Sequence, residues 1–221
     1  MLKKHILFLF LFPASIFCQV HVQCGPVNRL IPRFINDSVP SFEKLQPLVQ
    51  QKIIPPLRQS GAQLEIRVFY YGFRGTKTII IQCKGNDILV ERYETVHSMN
   101  ERYPDTAFKS TGKISPGLYL FVKHTTGLKL KYAGTWNDFF EDLINNHFFD
   151  LPDEKSINKE VLLADAHGID DPVESAVYYE ARVGKYYRNM MYTNHYSSKA
   201  GIIPAVQNQL KLEKLFYQFY K

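Results

Sequence analysis

Alternating apolar and polar positions predict strands through the middle of the chain. AQLEIRVFYYG alternates with the period of two that is typical of a half-buried strand. TKTIIIQCK and DILVERYET are separated by Gly85-Asn86, which predicts a two-residue hairpin with Cys83 opposite Ile88. GLYLFVKHT and LKLKY predict a further pair of strands around Thr126-Gly127, whereas the polar stretch 96–112 predicts a loop.

Two later segments have the period of amphipathic helices. GTWNDFFEDLINNHFF places its aromatic and aliphatic side chains on one side, and Thr135 followed by Asp138 predicts a capping box at its start. His147 is expected on the apolar side at the helix end, packed rather than acting as a ligand. A second helix is predicted over residues 202–220, with a polar stripe and an apolar stripe.

Between these helices the chain predicts one more hairpin. ESAVYYEARVGKYYRNMMYTN turns at Gly184-Lys185, which places Val183 opposite Tyr186. Runs of strands with few helices predict an α+β fold, an antiparallel β-sheet of hairpins with two principal packed helices. We expect a sheet region over 62–134 and a helix–hairpin–helix region over 135–221 that share one core.

The residues before the sheet region divide into two segments. MLKKHILFLFLFPASIFC has the basic start, short apolar run and small residues of a cleaved secretory signal, so residues 1–18 are predicted to be a signal peptide. Lipid anchoring at Cys18 is the less favoured alternative, because Phe17 is not small. Residues 19–61 are rich in proline, which disfavours long helices and central strands, although a short helix is expected over 41–52.

Composition and charge narrow the functional classes. Removing Lys3 and Lys4 from 27 basic residues, against 21 acidic ones, leaves a net charge of +4 that is spread along the chain. Nucleic-acid binding requires clustered basic residues, so it is not expected. No second apolar stretch reaches the length of a membrane span, and we expect an exported periplasmic or secreted protein without a transmembrane span after cleavage.

Two cysteines remain after cleavage of the predicted signal. Export implies an oxidising compartment, so pairing of Cys24 with Cys83 is predicted, with two free thiols as the alternative. The chain has no H-E-x-x-H, G-x-S-x-G or C-x-x-C motif, and GFRGTK lies between predicted strands where it indicates a turn rather than a phosphate loop. No metal site, cofactor or catalytic set is predicted.

The strongest concentration of chemistry is HGIDDPVESAVYYEARVGKYYR. Its candidate binding residues are His167, Asp170, Glu180 and Arg188. The hairpin register puts Arg188 opposite Ala181 on the more apolar face, where an unpaired charge is costly. The favoured interpretation is therefore architectural, with Arg188 paired to an acidic residue of 165–171.

The C-terminal part resembles a pattern found in uncharacterised bacterial proteins. In that pattern an aspartate-containing turn precedes a strand with glutamate and then Gly-x-Tyr-Arg or Gly-x-Tyr-His. Asp170, Glu180, Gly184, Tyr186 and Arg188 occupy comparable places, with Asp-Asp-Pro where the pattern usually has Asp-Gly. The resemblance covers less than half of the chain and implies no activity.

Two functional classes follow from these observations. The favoured one is a non-catalytic exported protein, structural or binding, whose partner is unknown and could be a protein or a carbohydrate. The alternative is a hydrolase in which Glu180 or Asp170 acts with His167 once the fold has brought them together.

Overall fold

A computed structural model describes residues 17–37, 46–72, 75–130, 134–163, 176–193 and 200–220. The strands are β1 (Phe17–Cys24), β2 (Val27–Ile35), β3 (Leu64–Gly72), β4 (Gly75–Lys84), β5 (Asp87–Ser98), β6 (Lys109–Ser115), β7 (Leu118–Thr125), β8 (Ala176–Val183) and β9 (Tyr186–Tyr192). The helices are α1 (Pro47–Gln50), α2 (Trp136–Asn145), α3 (Glu154–Leu163) and α4 (Pro204–Tyr217). The class is α+β, as predicted.

Seven strands form one antiparallel sheet in the order β6-β7-β5-β4-β3-β8-β9. The predicted registers are confirmed, because Cys83 pairs with Ile88 and Val183 pairs with Tyr186. Pairing of β8 with β3 brings the C-terminal hairpin into the same sheet as the central strands.

The prediction for the segments flanking β7 was wrong. Among the described residues, 126–130 form no strand, and β7 pairs instead with β5 and with β6. The polar stretch read as a loop contributes the end of β5 and the start of β6. β6 is an edge strand with mostly exposed or half-buried side chains and an irregular register, so it lacks the apolar alternation that marks the inner strands.

The first face of the sheet carries the larger core. Alternate side chains of β3 and β4, such as Ile66, Val68 and Ile81, pack there with α2, α4 and the β1–β2 hairpin. The predicted capping box at Thr135 and Asp138 is present, and Phe139, Phe140 and Leu143 are buried on the predicted side of α2. His147 is exposed rather than packed, because the helix ends at Asn145 and His147 takes a positive φ of 58° beside Asp150.

The lead segment forms a two-stranded sheet of its own, which the sequence did not indicate. Pro32 lies at the register irregularity of β1–β2, where its missing N–H breaks no regular ladder. A disulfide joins Cys24 to Cys83 and ties this hairpin to β4, as predicted. The helix expected over 41–52 is reduced to α1, which begins at Pro47, and residues 41–45 lie outside the described residues.

Helix α3 is a second element that the sequence did not predict. Only Ile157 and Val161 are buried along it, which is too few apolar positions to define a helical stripe. The Asp153 carboxylate accepts the Ser156 N–H at 2.7 Å and so satisfies a free donor at the start of the helix.

The second face of the sheet is covered in part by residues 46–60. Leu48 and Ile54 from this segment pack with Ile80, Tyr93 and Leu120 in a second, smaller core. The polar side of the central strands is therefore buried as well. Within the described parts of the chain, no helix has the length and apolar character needed to cross a membrane.

Candidate functional site

The residues singled out from the sequence do not form one pocket. Glu180 and Arg188 lie on neighbouring strands but project to opposite faces, since Glu180 pairs with Asn189 and Ala181 pairs with Arg188. His167 and Asp170 lie outside the described residues, as does the whole 165–171 segment. Glu180 and Arg188 therefore belong to two separate arrangements.

Arg188 on the first face is held by the lead segment. Its Nη1 lies 3.2 Å from Asp37 Oδ2, and its Nη2 donates to the carbonyl oxygen of Leu151. Asp37 also accepts the Asn189 N–H at 2.6 Å, and the Asp37 N–H donates to the Tyr187 carbonyl at 2.8 Å. Asp37 thus contacts both the Arg188 guanidinium and the backbone at the outer edge of β9, so this ion pair closes the sheet edge.

Glu180 on the second face belongs to a buried charge cluster formed by Glu65, Arg67 and Glu180. All three side chains are fully buried. Arg67 Nε donates to Glu65 Oε1 at 2.6 Å, Arg67 Nη1 lies 3.8 Å from Glu180 Oε2, and Arg67 Nη2 donates to the Pro55 carbonyl at 2.8 Å.

Neutral partners complete the surroundings of the cluster. Glu65 Oε2 accepts from Gln82 Nε2 at 2.9 Å and from the Ser60 hydroxyl. The Tyr178 hydroxyl lies 3.2 Å from Glu180 Oε1. Burial, and then the negative charge of Glu180, raise the pKa of Tyr178, so its phenol remains protonated. The contacts with Ser60 and Pro55 tie the cluster to the covering segment, which favours fixing residues 46–60 over chemistry on a substrate.

An open cleft lies at the other end of β3 and β4, on the first face. Its volume is about 390 Å³. We name it the glycine-floored cleft, and its lining residues are Tyr70, Tyr71, Gly72, Gly75, Thr76, Lys77, Glu94, Thr95, Val96 and Phe108.

The sheet register explains why there is a depression at this position. Gly72 pairs with Gly75, and Gly75 pairs with Val96, so two neighbouring positions in one cross-strand row have no side chain. The adjacent row carries Tyr70 and Lys77. Two glycines side by side between larger residues therefore create a depression with an apolar floor.

The two glycines have different causes. Gly75 has a φ of +155°, and a Cβ there would lie 1.9 Å from the Thr95 carbonyl oxygen, so the backbone itself requires glycine. Among the described residues, a Cβ at Gly72 would meet the Gly75 carbonyl oxygen, at 3.7 Å, which is an ordinary contact. No close contact with a described residue therefore requires glycine at position 72, and its absent side chain leaves the cleft open.

Packing fixes the aromatic walls of the cleft. The Tyr70 ring lies edge-on to Tyr220 at 4.1 Å, and its hydroxyl donates to the Glu213 carbonyl at 3.3 Å. Phe108 on the opposite wall packs against Tyr103, with the two ring centroids 5.2 Å apart. Burial raises the pKa of Tyr70, which therefore stays neutral. These contacts give the cleft a preformed shape.

Thr76 and Thr95 hold the strands together beneath the cleft. The Thr95 hydroxyl donates to the Thr76 carbonyl oxygen and accepts the Thr76 N–H, each at 3.2 Å. This hydroxyl is consequently occupied by backbone groups and is not placed as a nucleophile. No cluster of three or more metal-binding side chains occurs within the described ranges.

GFRGTK predicts a hairpin turn, and the pairing of Gly72 with Gly75 agrees. The sequence does not predict the cleft, because the floor also needs Val96 from β5 and the wall needs Phe108 from the following loop. Two glycines flanking a turn beside tyrosines were the only local signal.

Comparison with known protein families, with curated proteins and with solved structures found no match to this chain. Function is therefore inferred from the geometry of the chain itself.

Proposed function

We propose that this chain is a non-catalytic binding protein that takes a small, largely apolar molecule in the glycine-floored cleft. The observation that carries the proposal is Gly72, a glycine that its described surroundings do not require and that leaves the floor between Tyr70 and Phe108 open. Small-molecule sites are typically preformed and mostly apolar, with a few polar groups at defined positions.

Binding is favoured over catalysis by the groups that line the cleft. The ionisable groups there, apart from tyrosines, are Lys77 and Glu94, and the Thr95 hydroxyl is used by backbone. The buried carboxylates Glu65 and Glu180 flank an arginine instead of an opening. These features supply no paired acid and base in contact with open space.

Two larger clefts on the described surface fit a ligand less well. The groove of about 560 Å³ between α2 and α4 is lined mainly by polar and charged side chains, including exposed Lys211 and Lys214. A cleft of about 430 Å³ lies beside β1 and includes exposed His21 and Lys185. Long exposed side chains lose conformational freedom when they become ordered, which lowers the affinity of such walls. The glycine-floored cleft also has an exposed lysine, Lys77, but its walls are mainly the packed rings of Tyr70 and Phe108, so less of this freedom is lost there.

We place the protein outside the cytoplasm. The basic and apolar start of the chain and the Cys24–Cys83 disulfide support export, because disulfides persist in oxidising compartments. Mass spectrometry of protein isolated from its native host tests this proposal. A mature N-terminus at or near Gln19 in exported material is expected, and a chain that keeps Met1 and is recovered only from the cytoplasm would contradict the proposal.

Filling the floor of the cleft tests the binding proposal. N-phenyl-1-naphthylamine, a neutral apolar dye that fluoresces in apolar surroundings, should bind the native chain. Gly72→Val should abolish that binding, because alternation along β3 directs a side chain at 72 to the same face as Tyr70. Gly61→Val is the matched control, since position 61 also has open space but lies at the opposite end of β3.

The two variants must keep equal unfolding midpoints for the comparison to hold. Dye binding lost only in Gly72→Val supports the cleft as the site. Equal dye binding by the native chain and Gly72→Val would overturn it.

A further inference from the structure

We infer that the ligand of the glycine-floored cleft carries an anionic group, such as a carboxylate, on its apolar body. This inference rests on the proposed function and adds the chemical class of the ligand. It comes from the described charged side chains beside the apolar floor, among which positive charges outnumber negative ones.

Glu94 is the one carboxylate among the described lining residues, and two cations already compensate it. Glu94 Oε1 lies 3.3 Å from Arg92 Nε and 3.9 Å from Lys123 Nζ. Arg92 also donates to the Phe219 carbonyl oxygen at 3.3 Å, which fixes it on the first face. Lys123 lies over the Phe108 ring, 5.8 Å from its centroid, and so borders the aromatic wall.

Lys77 is the cation that remains. It stands directly across from Glu94 in the β4–β5 register, yet the structure gives Glu94 its close contacts with Arg92 and Lys123 instead. Lys77 is exposed, lines the cleft and has no ion-pair partner within the described ranges. Among the described residues, the cations Lys77, Arg92 and Lys123 therefore lie around the single carboxylate of Glu94 at this edge of the opening.

This arrangement selects against other ligand classes. A cationic ligand would meet an excess of positive charge, and a neutral ligand would gain less from the lysine than an anion does. A ligand with an apolar body on Gly72 and Val96 can place its anionic group beside Lys77 without losing contact with the Tyr70 ring. The expected ligands are thus small aromatic or aliphatic carboxylates and related anions.

Isosteric probes that differ only in charge test the inference. We would measure binding of 1-naphthylacetate and 1-naphthylacetamide, and of decanoate and decanamide, to the native chain by titration calorimetry. The carboxylate of each pair should bind roughly fivefold more tightly, the gain expected for a charge-assisted contact at a partly exposed site. That preference should weaken as salt is added, because added ions screen exposed charges.

Lys77→Met should remove the preference for the carboxylates and weaken amide binding much less than carboxylate binding. Lys84→Met is the matched control, because Lys84 is an exposed lysine at the other end of the same strand, and it should keep the preference.

The possible results separate the two proposals. Equal binding of the acid and the amide, or a preference that survives Lys77→Met, would overturn the anionic class while leaving the cleft as a site. Failure of all four probes to bind would overturn the proposed function itself.

Discussion

Replacing Arg67 with methionine should destabilise the protein strongly, because Arg67 is the centre of the buried charge cluster. The substitution removes Arg67 Nε, which lies 2.6 Å from Glu65 Oε1, and Arg67 Nη1, which lies 3.8 Å from Glu180 Oε2. It also leaves the Pro55 carbonyl oxygen without the donor Arg67 Nη2. Both carboxylates are fully buried, so water cannot take the place of the guanidinium.

The size of the effect follows from this burial. Removing one partner of a buried ion pair typically costs about 3–5 kcal/mol, because the remaining charge is left without compensation. For a chain of this length such a loss lowers the melting temperature by on the order of 10 °C. Arg102 is exposed, so the control variant Arg102→Met should change the free energy of unfolding by less than about 0.5 kcal/mol.

Urea unfolding followed by circular dichroism measures the loss. The triple variant Arg67→Met, Glu65→Gln, Glu180→Gln should recover much of it, since neutral amides can be buried at lower cost than unpaired carboxylates. An Arg67→Met protein as stable as the parent would refute the architectural role, and would indicate that the cluster is held at a cost to stability for a function.

Four further outcomes are expected. Arg188→Ala should cost on the order of 3 kcal/mol in urea unfolding, because Asp37 then loses its partner beside β9, and an unchanged midpoint would contradict the edge-closing role. Thiol labelling of the unfolded, unreduced full-length chain should detect only Cys18, and three reactive thiols would refute the bridge. By restricting the unfolded chain, the Cys24–Cys83 bridge should stabilise the protein by about 4 kcal/mol. Gly75→Ala should destabilise by roughly 1–3 kcal/mol through its clash with Thr95, whereas Gly72→Ala should be nearly neutral, and equal midpoints would contradict the distinction. Burial raises the pKa of Tyr93 to about 12, above its unfolded value of 10.0. The neutral phenol therefore contributes its full stability below pH 10, and this contribution is lost as the pH rises toward 12. In urea unfolding at increasing alkaline pH, Tyr93→Phe should lack this loss of stability.

The alternation of side chains predicted which face each residue occupies, but not whether that face is covered. Glu65 and Arg67 alternate with apolar neighbours and look like the solvent side of a strand. Their burial depends on residues 46–60, a proline-containing segment whose own pattern gives no sign of where it packs. Periodicity is a local property, whereas burial is decided by remote segments.

Arg188 shows that a local pattern can predict the position of a residue but not its partner. The register of a two-residue hairpin fixed its position opposite Ala181 on the apolar face, and the structure confirms it. The described partner, Asp37, is 151 residues away in sequence. Nothing near Asp37 distinguishes it from other acidic residues, so only the folded chain identifies the pair.

The cleft shows how a turn signal can conceal a site. Glycines at a hairpin end are usually explained by the turn, and Gly75 satisfies that explanation through its backbone conformation. Gly72 does not, but the difference becomes visible only when the neighbouring strand and loop are in place.

Nuclear magnetic resonance mapping of a bound probe tests the central claim most directly. Adding 1-naphthylacetate to the isotope-labelled native chain should shift the amide signals of Gly72, Gly75 and Val96 and leave those of Glu65 and Glu180 unchanged. Shifts concentrated in the groove between α2 and α4, or no shifts at the glycine-floored cleft, would contradict the account.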